Sequence, residues 1–250
     1  SIGNDFKYTL GSQFSYSRSK IIFIDEPTNI PEWQRRTGKP IDYLMVYEAD
    51  GIFQNQEEID NHPHWPNTQP GDVRYRDVSG DGVISQEDQV ILENSPTPRM
   101  IYGINMGAEW KNISLNLLFQ GQAQAKTIYR QWDVNQHANF YNNRWTSEER
   151  SPNAIYPAAW GPGDTDFDEI STVWVKNNSF VRLKNVELAY RFDEKIVKKL
   201  GVSSLRFFVS AHNLFIIHDN VKFDDPESNV SDGRYYPQQR LLSTGINLKF

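Results

Sequence analysis

Residues 101–122, IYGINMGAEWKNISLNLLFQGQ, decide the fold. Tyr102, Ile104, Met106, Ala108 and Trp110 occupy every second position; beyond Lys111-Asn112 the apolar phase moves by one, to Ile113, Leu115, Leu117 and Phe119. Two-residue alternation places successive side chains on opposite faces of a strand, so each half reads as a β-strand with one apolar face. A phase change across two residues reads as a tight hairpin turn. The stretch therefore predicts antiparallel strands at 101–110 and 113–122.

The same alternation recurs on both sides. Phe6, Tyr8, Leu10, Phe14 and Tyr16 mark a strand over about 4–17, with Ser12 the one exception. Over 178–192, Val186, Leu188, Tyr190 and Phe192 share one phase while Val181 and Leu183 take the other, which calls for an extra residue, a β-bulge, near Lys184-Asn185. Leu205, Phe207, Val209 and Ala211 mark 204–213, and Leu242, Ile246, Leu248 and Phe250 mark 240–250. Each unit approaches the roughly 9 to 11 residues that cross a bilayer as a tilted strand.

Connection lengths carry the topology. Long segments at 18–99, 123–177 and 214–239 alternate with short or moderate ones, the pattern of barrels with short periplasmic turns and long extracellular loops. The reading is all-β, with six antiparallel strands of a transmembrane barrel. It requires the apolar stretch 43–53 to lie in the first outer loop. A soluble β-sandwich alternates as cleanly, but compact domains seldom contain connections of that length.

Composition excludes several chemistries. The chain has 250 residues, 38 % hydrophobic and 13 % aromatic, with a formal charge of −6 and no cysteine. Disulfides, cysteine catalysis and thiolate metal sites are out, and interspersed charges leave no basic stripe for nucleic acid. No apolar run is long enough for a membrane helix, so any membrane role falls to strands. No signal peptide is visible at Ser1-Ile2-Gly3-Asn4.

The strongest local chemistry is Asp77 to Asp88. Oxygen side chains stand at loop positions 1, 3, 5, 9 and 12 (Asp77, Ser79, Asp81, Ser85, Asp88), glycine at position 6 (Gly82), and Val83 offers its carbonyl at position 7. That frame suits Ca²⁺, as in an EF-hand-type loop; the alternative is an acidic turn whose Asp and Gly serve only the backbone. No other cluster matches a catalytic pattern. His62 and His64 lack zinc spacing, and Asp164, Asp166, Asp168 and Glu169 read as solvated charge.

Tyr129, Trp132, Tyr141, Trp145, Tyr156, Trp160 and Trp174 crowd the second outer loop. Trp132, Tyr141, Trp145 and Trp160 are candidate substrate contacts, since flat rings stack on sugars. The alternative is that a long ordered loop spends them on its own small core. At the chain's end, Gly245, Leu248 and the final Phe250 resemble the signal by which outer-membrane barrels are recognised for assembly.

Together these landmarks resemble SusC/RagA-type TonB-linked transporters. The matching stretches are Gly71 to Asp77 running into Asp81-Gly82, Pro98 to Gly103, Trp110 to Ile113, Gln120-Gly121, Phe180 to Val186, Asn213-Leu214, Asp225-Pro226-Glu227, Tyr236-Pro237 and Gly245 to Phe250. The resemblance implies that 1–250 is the C-terminal part of a 22-stranded barrel with a plugged lumen. It also implies import of a bulky nutrient, an oligosaccharide or a peptide, beneath a SusD-like surface lipoprotein. Partners would be the remaining barrel and plug, outer-membrane lipid, and TonB through the missing plug; no enzyme activity and no nucleic acid are expected. The rival function is a secreted calcium-binding β-domain that binds carbohydrate.

Overall fold

The computed structural model describes residues 5–93, 97–129, 138–147, 153–159, 169–222, 225–227 and 238–250. Strand β1 (Phe6–Tyr16) leads into a long excursion holding β2 (Leu44–Tyr47), β3 (Ala49–Ile52), α1 (Gln56–Asp60), β4 (Val73–Tyr75) and β5 (Gln89–Leu92). The hairpin β6 (Met100–Trp110) and β7 (Ile113–Ala123) follows, then a second excursion with β8 (Lys126–Ile128), α2 (Ala138–Asn143) and β9 (Val175–Asn177). Strand β10 (Phe180–Arg191), the short helix α3 (Glu194–Lys199), β11 (Ser204–Asp219) and β12 (Leu241–Lys249) complete the order.

Six of these strands form one antiparallel sheet in the order β1-β6-β7-β10-β11-β12. The register shows why the alternation matters. Phe6 lies opposite Trp110, Trp110 opposite Ile113, Ile113 opposite Tyr190, Tyr190 opposite Phe207 and Phe207 opposite Ile246, so one apolar row crosses the whole sheet. The row Thr9, Gly107, Asn116, Glu187, Ser210 and Ser243 crosses it on the other face. Directly opposed residues share a face, so the sheet has an apolar side and a polar side.

The apolar side packs on nothing among the described residues. Leu10 is 69 % exposed, Leu242 72 % and Ile246 62 %, and the three other sheets are two-stranded pieces of the excursions, not a covering layer. At roughly 25 cal/mol per Å² of apolar surface left in water, such a face is complementary to an apolar medium.

At one end of the sheet the connections are tight. Lys111, in the left-handed region at φ 52°, turns β6 into β7; its N–H donates to the Asp5 carbonyl, and the Arg191 N–H donates to that of Asn112. The Ser203 N–H donates to the Lys249 carbonyl at the same end. Both long excursions, and the segment joining β11 to β12, leave from the opposite end. In β10 the register against both neighbours slips between Leu183 and Asn185, making Lys184 the extra residue where the phase change demands one. Strand β11 runs on past residue 213 to Asp219: Asn213 takes φ 52°, and beyond it Phe215 pairs with Leu183 on the same face as Ala211.

The buried core sits in the excursions. Tyr47, Val73, Tyr75 and Ile84 form one cluster; Tyr129, Phe140, Tyr156, Trp174 and Val221 form another, and Val173 packs against both. The stretch 43–53 belongs to this unit, supplying β2 and β3 and burying Val46, Tyr47, Ile52 and Phe53. Backbone bonds tie the first two excursions together: the Tyr47 N–H donates to the Ile170 carbonyl, Thr172 N–H to that of Tyr47, and Ala158 N–H to that of Gly71. Gly71 is irreplaceable here, because at φ 104° a Cβ would lie 2.6 Å from the Trp145 ring.

Candidate functional site

The polar face is one candidate surface. A concavity of about 330 Å³ is lined by Asn105, Asn116, Asn185, Glu187, Ser210 and His212, together with Leu117, Leu118 and Val186. His212 Nδ1 lies 2.7 Å from the Asn185 side-chain oxygen, and Arg206 pairs with Glu187. Amides and hydroxyls of this kind donate and accept hydrogen bonds with a neutral polar solute; nothing among them forms a nucleophile and base pair.

Where β10 meets the outer unit, the same face carries a buried ionic group. Arg182, its side chain 3 % exposed, donates to Asp225 at 2.6 Å and to Glu227 at 2.7 Å. Lys184 adds a bond to Glu227 at 2.8 Å, and the Asn178 side-chain N–H donates to the Pro226 carbonyl. The connection after β11 is thereby fastened to the sheet. Sequence reading quoted Arg182, Lys184 and Asp225-Pro226-Glu227 as separate landmarks and missed their union. The available signal was a pair of cations inside a strand and two acids flanking a proline.

The Asp77–Asp88 loop closes on itself. Gly82 N–H donates to Asp77 Oδ2 at 2.8 Å, and Gly80 N–H and the Ser79 hydroxyl donate to Oδ1. These bonds, that of Gly82 foremost, hold the Asp77 carboxyl below the usual carboxylate range. Gly80 at φ 76° and Gly82 at φ 84° make the turns that this route needs. Asp88, fully buried, accepts from Val78 and Ser79 N–H on one oxygen and from Ser85 N–H on the other. It completes a capping box with Ser85. Among the described residues Asp81 accepts from Val83 N–H, two residues on, and Val83 itself is exposed. Among the described residues, no group of three or more His, Asp or Glu side chains converges as a metal cage.

The candidate aromatics separate. Trp145 is buried in the outer unit, against Ile52, Ala158 and Gly71, with its indole N–H donating to Gln54. Its ring is spent on the loop's own packing and is not presented to a solute. Tyr141 is 62 % exposed, but the Arg144 guanidinium lies 3.8 Å from its ring centroid and covers one face. Trp132 and Trp160 lie outside the described residues, as do Asp164, Asp166 and Asp168. Of the others, Tyr156 stacks on Trp174 with Lys176 4.7 Å from the Tyr156 ring centroid. Gly245 sits against the Phe208 ring on the polar face, while Leu248 and Phe250 are exposed.

No family model matches the chain. It is 27 % identical to TonB-dependent receptor P3 of Formosa agariphila over 98 % of its own length and 27 % of the relative's. A second TonB-dependent receptor of that organism is 29 % identical, over 92 % of this chain and 24 % of its own. The TonB-dependent receptor SusC of Bacteroides thetaiotaomicron is 24 % identical, over 83 % and 20 %. In fold, the chain superposes on part of a RagAB peptide transporter structure with a TM-score of 0.71 at 21 % identity, covering 99 % of this chain and 28 % of that one. In sequence and fold the chain is similar to part of the SusC/RagA-type TonB-dependent receptors, and it spans about a quarter of the length of the relatives it matches.

Proposed function

We propose that the chain forms six adjacent wall strands, the C-terminal ones, of a 22-stranded TonB-dependent outer-membrane transporter. One observation carries this: a single sheet with a continuous exposed apolar face on one side and a hydrogen-bonding face on the other. Lipid meets the first and the lumen meets the second. The packed excursions 18–99 and 123–177, with the segment joining β11 to β12, lie outside the cell. The complete receptor imports a bulky nutrient, an oligosaccharide or a peptide, by transport without catalysis. A SusD-like lipoprotein sits over the outer loops, and TonB acts through the plug. The neighbour's description as a peptide transporter supports the peptide, and the amide-rich lumen face suits either class.

Deleting Phe250 from the complete receptor tests the placement. Gly245, Leu248 and Phe250 would then lie at the assembly signal and the periplasmic girdle. The expected result is severalfold less heat-modifiable barrel in the outer-membrane fraction, with nutrient uptake falling in proportion. Tyr141→Ala, at an exposed loop ring, should leave the barrel amount unchanged. Equal barrel yields for the deletion and the wild type would remove the C-terminal assignment.

A second reading concerns Asp77–Asp88, where left-handed Gly80 and Gly82 fold Asp77 and the exposed Asp81 into one tight turn with the oxygen-rich spacing of a calcium loop. We propose that Ca²⁺ is held by Asp77, Ser79, Asp81 and the Val83 carbonyl, with Ser85 and Asp88 fixing the loop backbone around it. Calcium should then raise the protease resistance of the first outer loop in the wild type but not in Asp81→Asn. Identical digestion with calcium and with chelator would leave only the self-capped turn.

A further inference from the structure

Above the outer end of β1 and β6, three cations converge on one carboxylate. Glu93 receives Arg18 at 3.0 Å, Lys39 at 3.3 Å and Arg99 at 3.7 Å. The excess positive charge is structural: Arg99 is pinned beside the sheet, its carbonyl accepting from Ser17 N–H, and Lys39 is fixed by the Ile21 N–H donating to its carbonyl. The Arg99 terminal nitrogen is buried and makes no hydrogen bond among the described residues. Beside it opens a cavity of about 260 Å³ whose lining includes Ser17, Arg18, Ser19, Thr97, Arg99 and Asp42. Guanidinium groups with neighbouring hydroxyls form an oxyanion-binding set, and the single Asp42 in the lining does not cancel the excess.

The surroundings select the kind of anion. The adjoining surface is apolar: Ile41, in the cavity lining, is 74 % exposed, and Ile22 and Phe23, which follow the Ile21 that bonds Lys39, are 80 % and 84 % exposed. A soluble phosphate has no use for such neighbours. A phosphorylated lipid has: its headgroup would meet the cations while its chains run down the apolar face. We infer that Arg18, Lys39 and Arg99 form a seat for the phosphate headgroup of an anionic lipid at the rim of the sheet from which the long excursions leave. The inference rests on the outer-membrane reading above.

The test uses the complete receptor purified in mild detergent, incubated with phosphatidylcholine vesicles with or without lipid A, and examined by native mass spectrometry for retained lipid A. Arg18→Ala/Lys39→Ala alters two half-exposed side chains, and Lys198→Ala/Lys199→Ala removes the same charge from α3 at the other end of the sheet. The wild type and the α3 variant should retain lipid A, and the rim variant should retain roughly tenfold less or lower still. Heat-modifiable barrel in the outer-membrane fraction should be equal in all three. Equal retention by both double variants, with normal barrel, would overturn the lipid seat and leave the membrane reading standing. Full displacement by inorganic phosphate would assign the seat to a free anion and overturn it as well. Absence of the wild-type receptor from the outer membrane would overturn both readings together.

Discussion

Replacing Arg182 with methionine should destabilise the junction between the sheet and the packed excursions by about 3 kcal/mol, the lower end of the cost of breaking a buried ion pair, because Glu227 keeps Lys184 and Asp225 keeps the Glu227 N–H. Asp225 and Glu227 would lose their bonds of 2.6 and 2.7 Å to Arg182, leaving Lys184 as the cation on Glu227 among the described residues. The methionine fills the volume, so the loss reports charge and not a cavity. Charged hydrogen bonds in a site of this burial are strong because water competes poorly there. Neutralising the acids as well, in Arg182→Met/Asp225→Asn/Glu227→Gln, should recover part of the loss, since no carboxylate is then left in the site and Lys184, a quarter exposed, reaches water. The measurement is denaturant unfolding of the bilayer-reconstituted receptor, with hydrogen exchange followed around 225–227. A loss under about 1 kcal/mol for the single variant, within the range of an exposed pair, would show that Arg182 does not fasten this segment.

That junction also marks where sequence reading stopped. The wall was legible because its signal is local: Tyr102 to Phe119 announces two strands, a turn and a sided sheet without reference to any other residue. The bulge at Lys184 was legible for the same reason, as a phase error inside one strand. The extension of β11 was not, because the apolar run Leu214 to Ile217 beyond the polar Asn213 shows no alternation of its own, and its pairing with Phe180 to Leu183 is what makes it strand. The short strands β2 to β5 carry little periodicity of their own. They are held by partners far off in sequence, as when Tyr47 bonds to residues 170 and 172. Trp145 shows the limit for site residues. An aromatic in a loop reads equally as a ligand platform or as core, and only the contact with Ile52, Gln54 and Ala158 decides it.

The calcium frame illustrates a related ambiguity. Residue types at positions 1 to 12 met the requirement, yet Asp88 turned out to accept three backbone N–H groups. Aspartate's preference for capping and for cation binding springs from one property, a short carboxylate near the backbone. Spacing alone does not separate the two uses.

The central claim is that the apolar face meets lipid and the polar face meets water. Asn116 and Leu117 are adjacent in β7 and point to opposite faces, Asn116 beside Glu187 and Leu117 beside Met106 and Val186. Arginine at each position, in the complete receptor reconstituted in a bilayer, is the most direct comparison. Leu117→Arg, near the middle of the strand, should cost about 2 to 4 kcal/mol of unfolding free energy, the range for a cation on the lipid face near the bilayer midplane. Asn116→Arg should change it by less than about 1 kcal/mol, because a lumen-facing cation stays hydrated. Equal costs, or the larger cost at Asn116, would contradict the assignment of the two faces.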